Sequence, residues 1–184
     1  MENGYVVAIA AAVVVFGTII WYISTMNRFE RLAVKITESD SGIDVALTKR
    51  FDTLTKTLDV CKAFAKHETE LLTGLVKIRK GGMSLDEKNE VNRQMDEVSG
   101  KINVIAEAYP ELKSSENFKQ LQLAIGDVEE HLQAARRIYN MNVSYFNQLL
   151  AAWPSGAVGR HKGHTPKGFF QAEERKKADV KMEF

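Results

Sequence analysis

An uninterrupted apolar run from Tyr5 to Ile23 constrains this chain more than any other feature. The run has no charged residue, and as an α-helix it would rise about 28 Å, enough to cross the hydrocarbon core of a bilayer. It ends in Trp21-Tyr22-Ile23, and aromatic residues concentrate at membrane–water interfaces. We therefore predict a transmembrane helix within residues 1–26, with membrane lipid as its partner.

A secretory signal peptide also contains an apolar stretch, but it usually opens with Lys or Arg and ends in a small-residue cleavage site. Here the run follows Met-Glu-Asn-Gly and is longer than a signal core, so we expect an uncleaved, single-pass anchor. Arg28, Arg31 and Lys35 follow the run and no Lys or Arg precedes it. This asymmetry favours a cytoplasmic body by the positive-inside rule.

The charge balance and the cysteine count exclude several classes of function. The chain has 25 Lys and Arg against 24 Asp and Glu, and only Glu2 precedes Asn27, so the remainder carries 25 − 23 = +2. That balance predicts no nucleic-acid partner. Cys61 is the only cysteine, so neither an intrachain disulfide nor a thiolate metal cage can form.

The body of the chain carries helical patterns throughout. Apolar residues recur every three or four positions from Asn27 to Lys80, which predicts one long helix or two abutting ones. We expect a weak point at Ser39–Gly42, where short polar residues and glycine disfavour the helix, and a stop at Gly81-Gly82. A capping box at Ser84–Glu87 predicts a second helix, which Pro110 ends.

A third helix should begin at Ser114-Ser115 and end before Trp153-Pro154. Since no segment has a strand pattern, the prediction is an all-α chain: a transmembrane helix, then an up-and-down antiparallel helical bundle with coiled-coil-like seams. The bundle has three long helices, or four if the first is split. Aromatic and Met residues at helical spacing are expected in the core, namely Phe51, Phe64, Met95, Phe118 and Phe146.

The composition divides the chain into three predicted parts. Residues 1–26 form the anchor, residues 27–152 form the bundle, and residues 153–184 form a basic, mostly irregular tail with Phe169 to Lys177 as a candidate helix. The tail carries seven Lys or Arg and four acids.

Several short motifs resemble the LemA family. They are Asn27-Arg28-Phe29, Ile43-Asp44-Val45 leading to Arg50, Ala65-Lys66-His67-Glu68, Ala108–Leu112, Glu116-Asn117-Phe118 with Leu121-Gln122, Ala135-Arg136-Arg137 with Tyr139-Asn140, Pro154-Ser155, and Phe169-Phe170 with Glu173. The resemblance implies a four-helix bundle behind an N-terminal anchor and no established enzymatic reaction. Members usually carry Pro-Asn where this chain has Thr55-Lys56, and a proline there would divide the first long helix.

Two groups of residues are candidates for interaction. Arg136 and Arg137, with Tyr139 and Asn140, could hold a partner carboxylate or lipid phosphate by bidentate bonds. The alternative is structural: one arginine pairs with Asp44, Asp52 or a glutamate across the bundle, Tyr139 fills the seam, and Asn140 or Asn142 fixes register. Phe169 and Phe170 lie among basic residues and either contact a membrane surface or cap the bundle.

The histidines give little support to metal chemistry. His161 and His164 lie three apart, but no thiolate or carboxylate is near in sequence and basic residues flank them, which favours a solvated loop. His67 does not share a helical face with Glu68, and His131 is expected at the surface. We therefore expect no catalytic residue, no metal site and no cofactor.

Three functions are compatible with this pattern. The first is a non-enzymatic membrane-anchored scaffold or adaptor in the bacterial cell envelope, with a protein partner or self-association. It is favoured because no catalytic constellation is recognisable. The second is a lipid-surface or envelope-stress sensor that uses the basic aromatic tail. The third, least supported, is a metal-binding hydrolase using His161 and His164.

Overall fold

A computed structural model of the protein describes residues 2–64 and 83–170, and the fold of these residues consists of α-helices. In chain order these are α1 (Glu2–Phe64), α2 (Leu85–Ala108), α3 (Pro110–Ser114), α4 (Glu116–Ala151) and α5 (Ser155–His161). Helix accounts for 89% of the described residues, and none of them forms a strand. The predicted all-α class is confirmed.

The first helix is continuous for 63 residues. Residues 39–42, where we expected a weak point, are helical, and Thr55 does not interrupt the helix. The Thr55 hydroxyl donates to the Phe51 carbonyl at 2.8 Å, so this side chain satisfies itself within the helix instead of competing with it. Burial of Ile43 and Leu47 directly after Gly42 offsets the cost of that glycine. The question of one helix or two is thus settled as far as Phe64, and the predicted stop at Gly81-Gly82 lies outside the described residues.

The other helix ends follow their sequence signals. Ser84 caps α2, and its reciprocal bonds with Glu87 form the predicted capping box. Helix α2 ends at Ala108, just before Pro110, which instead opens the short α3. The Ser115 hydroxyl accepts the Phe118 amide at the start of α4, and α4 ends at Ala151, as predicted.

The chain clusters into two compact units. Unit 1 comprises Met1–Glu38 with Asn140–Gly168, and unit 2 comprises Ser39–Tyr139 with Phe169–Phe184. In unit 1, the Phe29 and Phe146 rings meet edge to face at 5.6 Å, and Asn142 donates to the Lys35 carbonyl. As the numbers rise on α1 they fall on α4, so these two helices are antiparallel in unit 1.

Helix directions in unit 2 follow from its ion pairs. Lys88, near the start of α2, binds Asp40 and Asp44 of α1, while Asp96 of α2 binds Arg50 of α1. Residue numbers rise on both helices from the first pairing to the second, so α1 and α2 run parallel. We had expected successive helices to be antiparallel. That expectation assumed short connections, and 18 residues (65–82) separate the described parts here.

The core of unit 2 is apolar except at a few seam positions. Its fully buried side chains include Ile43, Leu47, Leu54, Met95, Ile102 and Leu132. Among the expected core aromatics and Met residues, Met95, Phe118 and Phe146 are buried, Phe51 is half-buried, and Phe64 is exposed. The expectation for Phe64 is wrong because burial in the described part of α1 ends at Cys61, and the three residues after it, including Phe64, are exposed.

The apolar start of α1 is exposed. From Tyr5 to Ile20 the large apolar side chains are all exposed, and the most apolar window, with mean hydropathy 2.5, is 0% buried. One described helix, Asn3–Phe64, is therefore long and apolar enough to cross a membrane, judged by length and composition.

Part of the predicted irregular tail forms a helix. Helix α5 occupies Ser155–His161, and its residues Gly156, Val158 and Gly159 are buried. A Cβ at Gly159 would lie 2.6 Å from Cζ of Phe29, and one at Gly156 would lie 2.1 Å from the Leu150 carbonyl oxygen. These glycines let α5 pack directly on α1 and α4 within unit 1. The glycine-rich composition of this segment had instead suggested irregular chain.

Candidate functional site

A buried arginine joins three helices in unit 2. Arg50 of α1 is 1% exposed, and its Nε donates to Oε1 of Glu129 on α4 at 2.7 Å. Its Nη1 donates to Oδ1 of Asn92 on α2 at 2.7 Å, and its Nη2 binds Asp96. Asn92 in turn donates to Asp96 at 3.1 Å. The guanidinium thus satisfies its donors with partners from two other helices, which compensates for its burial.

A second buried cation lies near the start of α2. The Lys88 ammonium is 2.6 Å from Oδ1 of Asp40 and 2.8 Å from Oδ1 of Asp44. Burial alone would lower the pKa of Lys88, but the hydrogen bonds and charges of Asp40 and Asp44 outweigh it, so the pKa is raised. Lys88 therefore stays protonated and holds α2 against α1.

The candidate arginines are in different environments. Arg136 is 9% exposed, and its guanidinium carbon lies 4.7 Å from the centroid of the Phe170 ring. Among residues 2–64 and 83–170, its Nε and Nη2 find no hydrogen-bond partner. Burial lowers the pKa of Arg136, an effect that the charge of Asp96 opposes and that of Arg50 strengthens. Arg137 is exposed.

The other candidate interaction residues divide in the same way. Tyr139 is buried, and burial together with the charge of Asp40 raises the pKa of its phenol. Asn140 is half-buried. Phe170 is 3% exposed, whereas Phe169 is 48% exposed. Of the six candidates, Arg137 and Phe169 are thus the ones with exposed side chains.

The two buried cations that form these ion pairs, Arg50 and Lys88, are residues that the sequence reasoning did not place in the seam. Asp44 pairs with Lys88, and the arginine that binds a glutamate across the bundle is Arg50. Phe51, which we expected in the core, is half-buried, as is Val91, and Arg50 and Asn92 lie one position away at buried positions. A signal was available: Arg50 continues the spacing of Ile43, Leu47 and Leu54.

His164 belongs to an aromatic cluster in unit 1. Its ring stacks on Phe29 at 5.1 Å and meets Phe146 edge to face at 5.5 Å. Its Nε2 is 3.8 Å from Oε1 of Glu30. His161 is exposed on α5, and within residues 2–64 and 83–170 no group of three His, Cys, Asp or Glu residues is placed to hold a metal ion. The solvated-loop interpretation is therefore wrong for His164, because packing on Phe29 leaves its side chain only 18% exposed.

The predicted anchor residues are at the surface of unit 1. Tyr5, Trp21 and Ile23 are exposed, and Tyr22 is half-buried. His131 is exposed, as expected, and His67 lies outside the described residues.

Comparison with known proteins adds a family. A sequence model of the LemA family matches residues 39–184, which includes both buried cations and all six candidate interaction residues. The chain belongs to the LemA family. Protein LemA of Metamycoplasma hominis is 27% identical over 163 residues, which cover 86% of this chain and 74% of the relative.

The region of the chain that matches the LemA family begins at Ser39. The apolar run, and the part of α1 that belongs to unit 1, lie before it. The matched part contains the Arg50 network and the Arg136–Phe170 contact. The ion pairs of Arg50 and Lys88 join helices to one another and engage two of the three buried charged residues in the described part of the chain, the third being Arg136 on Phe170. The arrangement fixes helix positions, and it presents no nucleophile beside a base among the residues described above.

Proposed function

We propose that this LemA-family protein is a single-pass membrane protein whose helical bundle acts as a non-enzymatic scaffold or adaptor in the bacterial cell envelope. The observation that carries the proposal is the dual character of α1. Its first part is apolar and exposed, and its later part contributes Phe29, Ile36, Ile43 and Leu47 to the core. A helix with both properties ties the bundle to the bilayer without a flexible linker.

The proposed orientation places the bundle in the cytoplasm. Arg28 and Arg31 are exposed directly after the apolar run, where positive residues favour retention on the cytoplasmic side. Trp21 and Tyr22 would then lie at the cytoplasmic interface of the membrane.

A scaffold needs a surface for its partner. Met141 and Tyr145 lie one turn apart on α4 and are 47% and 53% exposed, although both are large and apolar. Met and Tyr are enriched at protein interfaces, so this pair is our proposed contact for a protein partner or a second copy of the chain. The lipid-sensor alternative has less support, because Phe170 is buried against Arg136 and only Phe169 of that pair is exposed.

Proximity labelling tests the proposal in the native membrane. The full chain carries the labelling enzyme after Phe184, and carbonate extraction reports whether it stays in the membrane. We expect membrane retention and a reproducible set of labelled proteins that Met141→Ser with Tyr145→Ser depletes. Val104→Ser on α2 is the matched control, since Val104 is 66% exposed and should leave the set unchanged. Release by carbonate would overturn the anchor, and an unchanged set in the double variant would overturn the proposed contact.

A further inference from the structure

The turn between α4 and α5 presents a tryptophan to the outside. Trp153 is 85% exposed, and its neighbours Ala151, Ala152 and Pro154 are exposed as well. Tryptophan is the largest side chain and is rarely left in water to this extent. Its indole combines an apolar body with one N–H donor, which suits the boundary between lipid and water.

This turn lies beside the end of the apolar run. Trp21, Ser24 and Thr25 of α1 line an open groove of about 350 Å³ together with Leu149, Pro154 and Ser155. The antiparallel pairing of Phe29 with Phe146 gives a similar level: α4 continues from Phe146 to Ala151, just before Trp153, and α1 followed backwards from Phe29 reaches Tyr22 two turns earlier. In an antiparallel pair these two aromatic residues are at about the same height.

The turn is held firmly in that position. Arg160 of α5 donates to the Leu150 carbonyl at 3.1 Å, and the Ser155 hydroxyl donates to the Leu149 carbonyl at 2.9 Å. The close approach of Gly159 to Phe29 fixes α5 on α1. Further along, Asn147 exchanges two 2.9 Å hydrogen bonds with the backbone of Lys167. Hydrogen bonds and packing thus hold the turn that exposes Trp153.

The charges around the turn match a phospholipid surface. Arg28 lines the groove, and Arg160 and Lys162 lie on and after α5, all three of them exposed. Cations at this height would meet lipid phosphates, and those next to an anionic leaflet are attracted to it.

We propose that the α4–α5 turn is a second membrane contact, with Trp153 inserted in the headgroup region of the leaflet in which Trp21 and Tyr22 lie. The inference rests on the proposed membrane span of α1. It gives unit 1 two points of attachment, and two points fix the tilt of unit 1 relative to the bilayer, which the single helix would leave free.

The two tryptophans of the chain make a direct test possible. Trp21→Phe leaves Trp153 as the only reporter, and Trp153→Phe leaves Trp21. Each full-length variant is reconstituted in vesicles of phosphatidylcholine and phosphatidylglycerol that contain phospholipids brominated at defined depths, and quenching is compared with that by aqueous acrylamide. We expect shallow bromines to quench Trp153 as strongly as Trp21, with at least a twofold loss of acrylamide quenching relative to free tryptophan.

The two proposals fail separately in this experiment. If bromolipid quenches Trp21 but not Trp153, and acrylamide quenches Trp153, the membrane span of α1 is retained and the second membrane contact is overturned. If bromolipid does not quench Trp21, the span itself is overturned. Circular dichroism of both variants shows that each retains the helix content of the unmodified chain, so neither result can come from unfolding.

Discussion

The Nε of Arg50 and the Oε1 of Glu129 lie 2.7 Å apart, although 79 residues separate them in the chain. This contact joins α1 to α4, and the same guanidinium reaches Asn92 and Asp96 on α2. A buried cation with partners from two other helices is satisfied only when all three are correctly aligned. The network therefore selects the helix register, which an apolar seam alone leaves less defined.

Arg50→Met should destabilise unit 2 because it leaves the Asp96 and Glu129 carboxylates facing each other without their cation. We expect the free energy of unfolding to fall by about 3 kcal/mol, the lower end for a broken buried pair because both carboxylates are about one-third exposed. Urea denaturation followed by circular dichroism in mild detergent measures the change. Arg93→Met is the control, since Arg93 pairs with Glu90 and Glu97 at the surface. An equal shift of the two midpoints would contradict a special role for Arg50.

Stability should decline at alkaline pH through Lys88. Its pKa in the folded protein is raised above the ordinary 10.5, so the folded state binds the proton more tightly than the unfolded state. The stabilisation is complete below pH 10.5 and is lost as pH rises through the higher folded value. Raised pKa values at Cys61 and Tyr139 act in the same direction.

Lys88→Met isolates this contribution. The variant should be less stable than the unmodified chain at neutral pH, and the difference should shrink as pH rises above 10.5, measured by thermal unfolding. Tyr139→Phe is the control for the phenol. A difference that stays constant across this pH range would show that Lys88 acts through packing alone.

Phe170 and Phe169 should respond oppositely to truncation. Phe170→Ala removes a buried ring and uncovers Arg136, which we expect to cost about 3 kcal/mol of unfolding free energy. Phe169→Ala should have little effect, because that ring is half exposed.

The same contrast is expected between Arg136→Ala and Arg137→Ala. The denaturant midpoints of the variants measure both contrasts. Equal midpoints for the two phenylalanine variants would place Phe170 outside the core.

Gly159→Ala should loosen α5. The added methyl would lie 2.6 Å from Cζ of Phe29 and 2.8 Å from Cδ1 of Leu150, so overpacking should cost about 1–3 kcal/mol. Hydrogen exchange of the α5 amides and of His164 should accelerate. Gly126→Ala in α4 is the matched control: its new methyl meets nothing within 4 Å, and alanine favours a helix interior by about 1 kcal/mol over glycine. Unchanged α5 exchange in Gly159→Ala would contradict the tight packing.

The sequence predicts this fold well where one local signal decides. The Ser84–Glu87 capping box, Pro110 and the 3.5-residue spacing of α4 set helix ends and faces without help from the rest of the chain. They do not reveal which charged residues enter the seam, because burial of Arg50 depends on Asn92, Asp96 and Glu129 arriving from elsewhere. Helix α5 was missed for a related reason: its glycines are poor helix formers, and contact with Phe29 and Leu150 stabilises them there.

The continuity of α1 across the end of the apolar run is the claim that supports the rest, and a distance measurement tests it most directly. Spin labels at Val13→Cys and Val34→Cys, in a Cys61→Ala background, are both on exposed positions 21 residues apart. In nanodiscs, double electron–electron resonance should give a narrow distribution centred at about 32 Å, the rise of one unbroken helix. A broad distribution, or one centred well below that distance, would mean that the helix breaks at the membrane surface and would contradict the account.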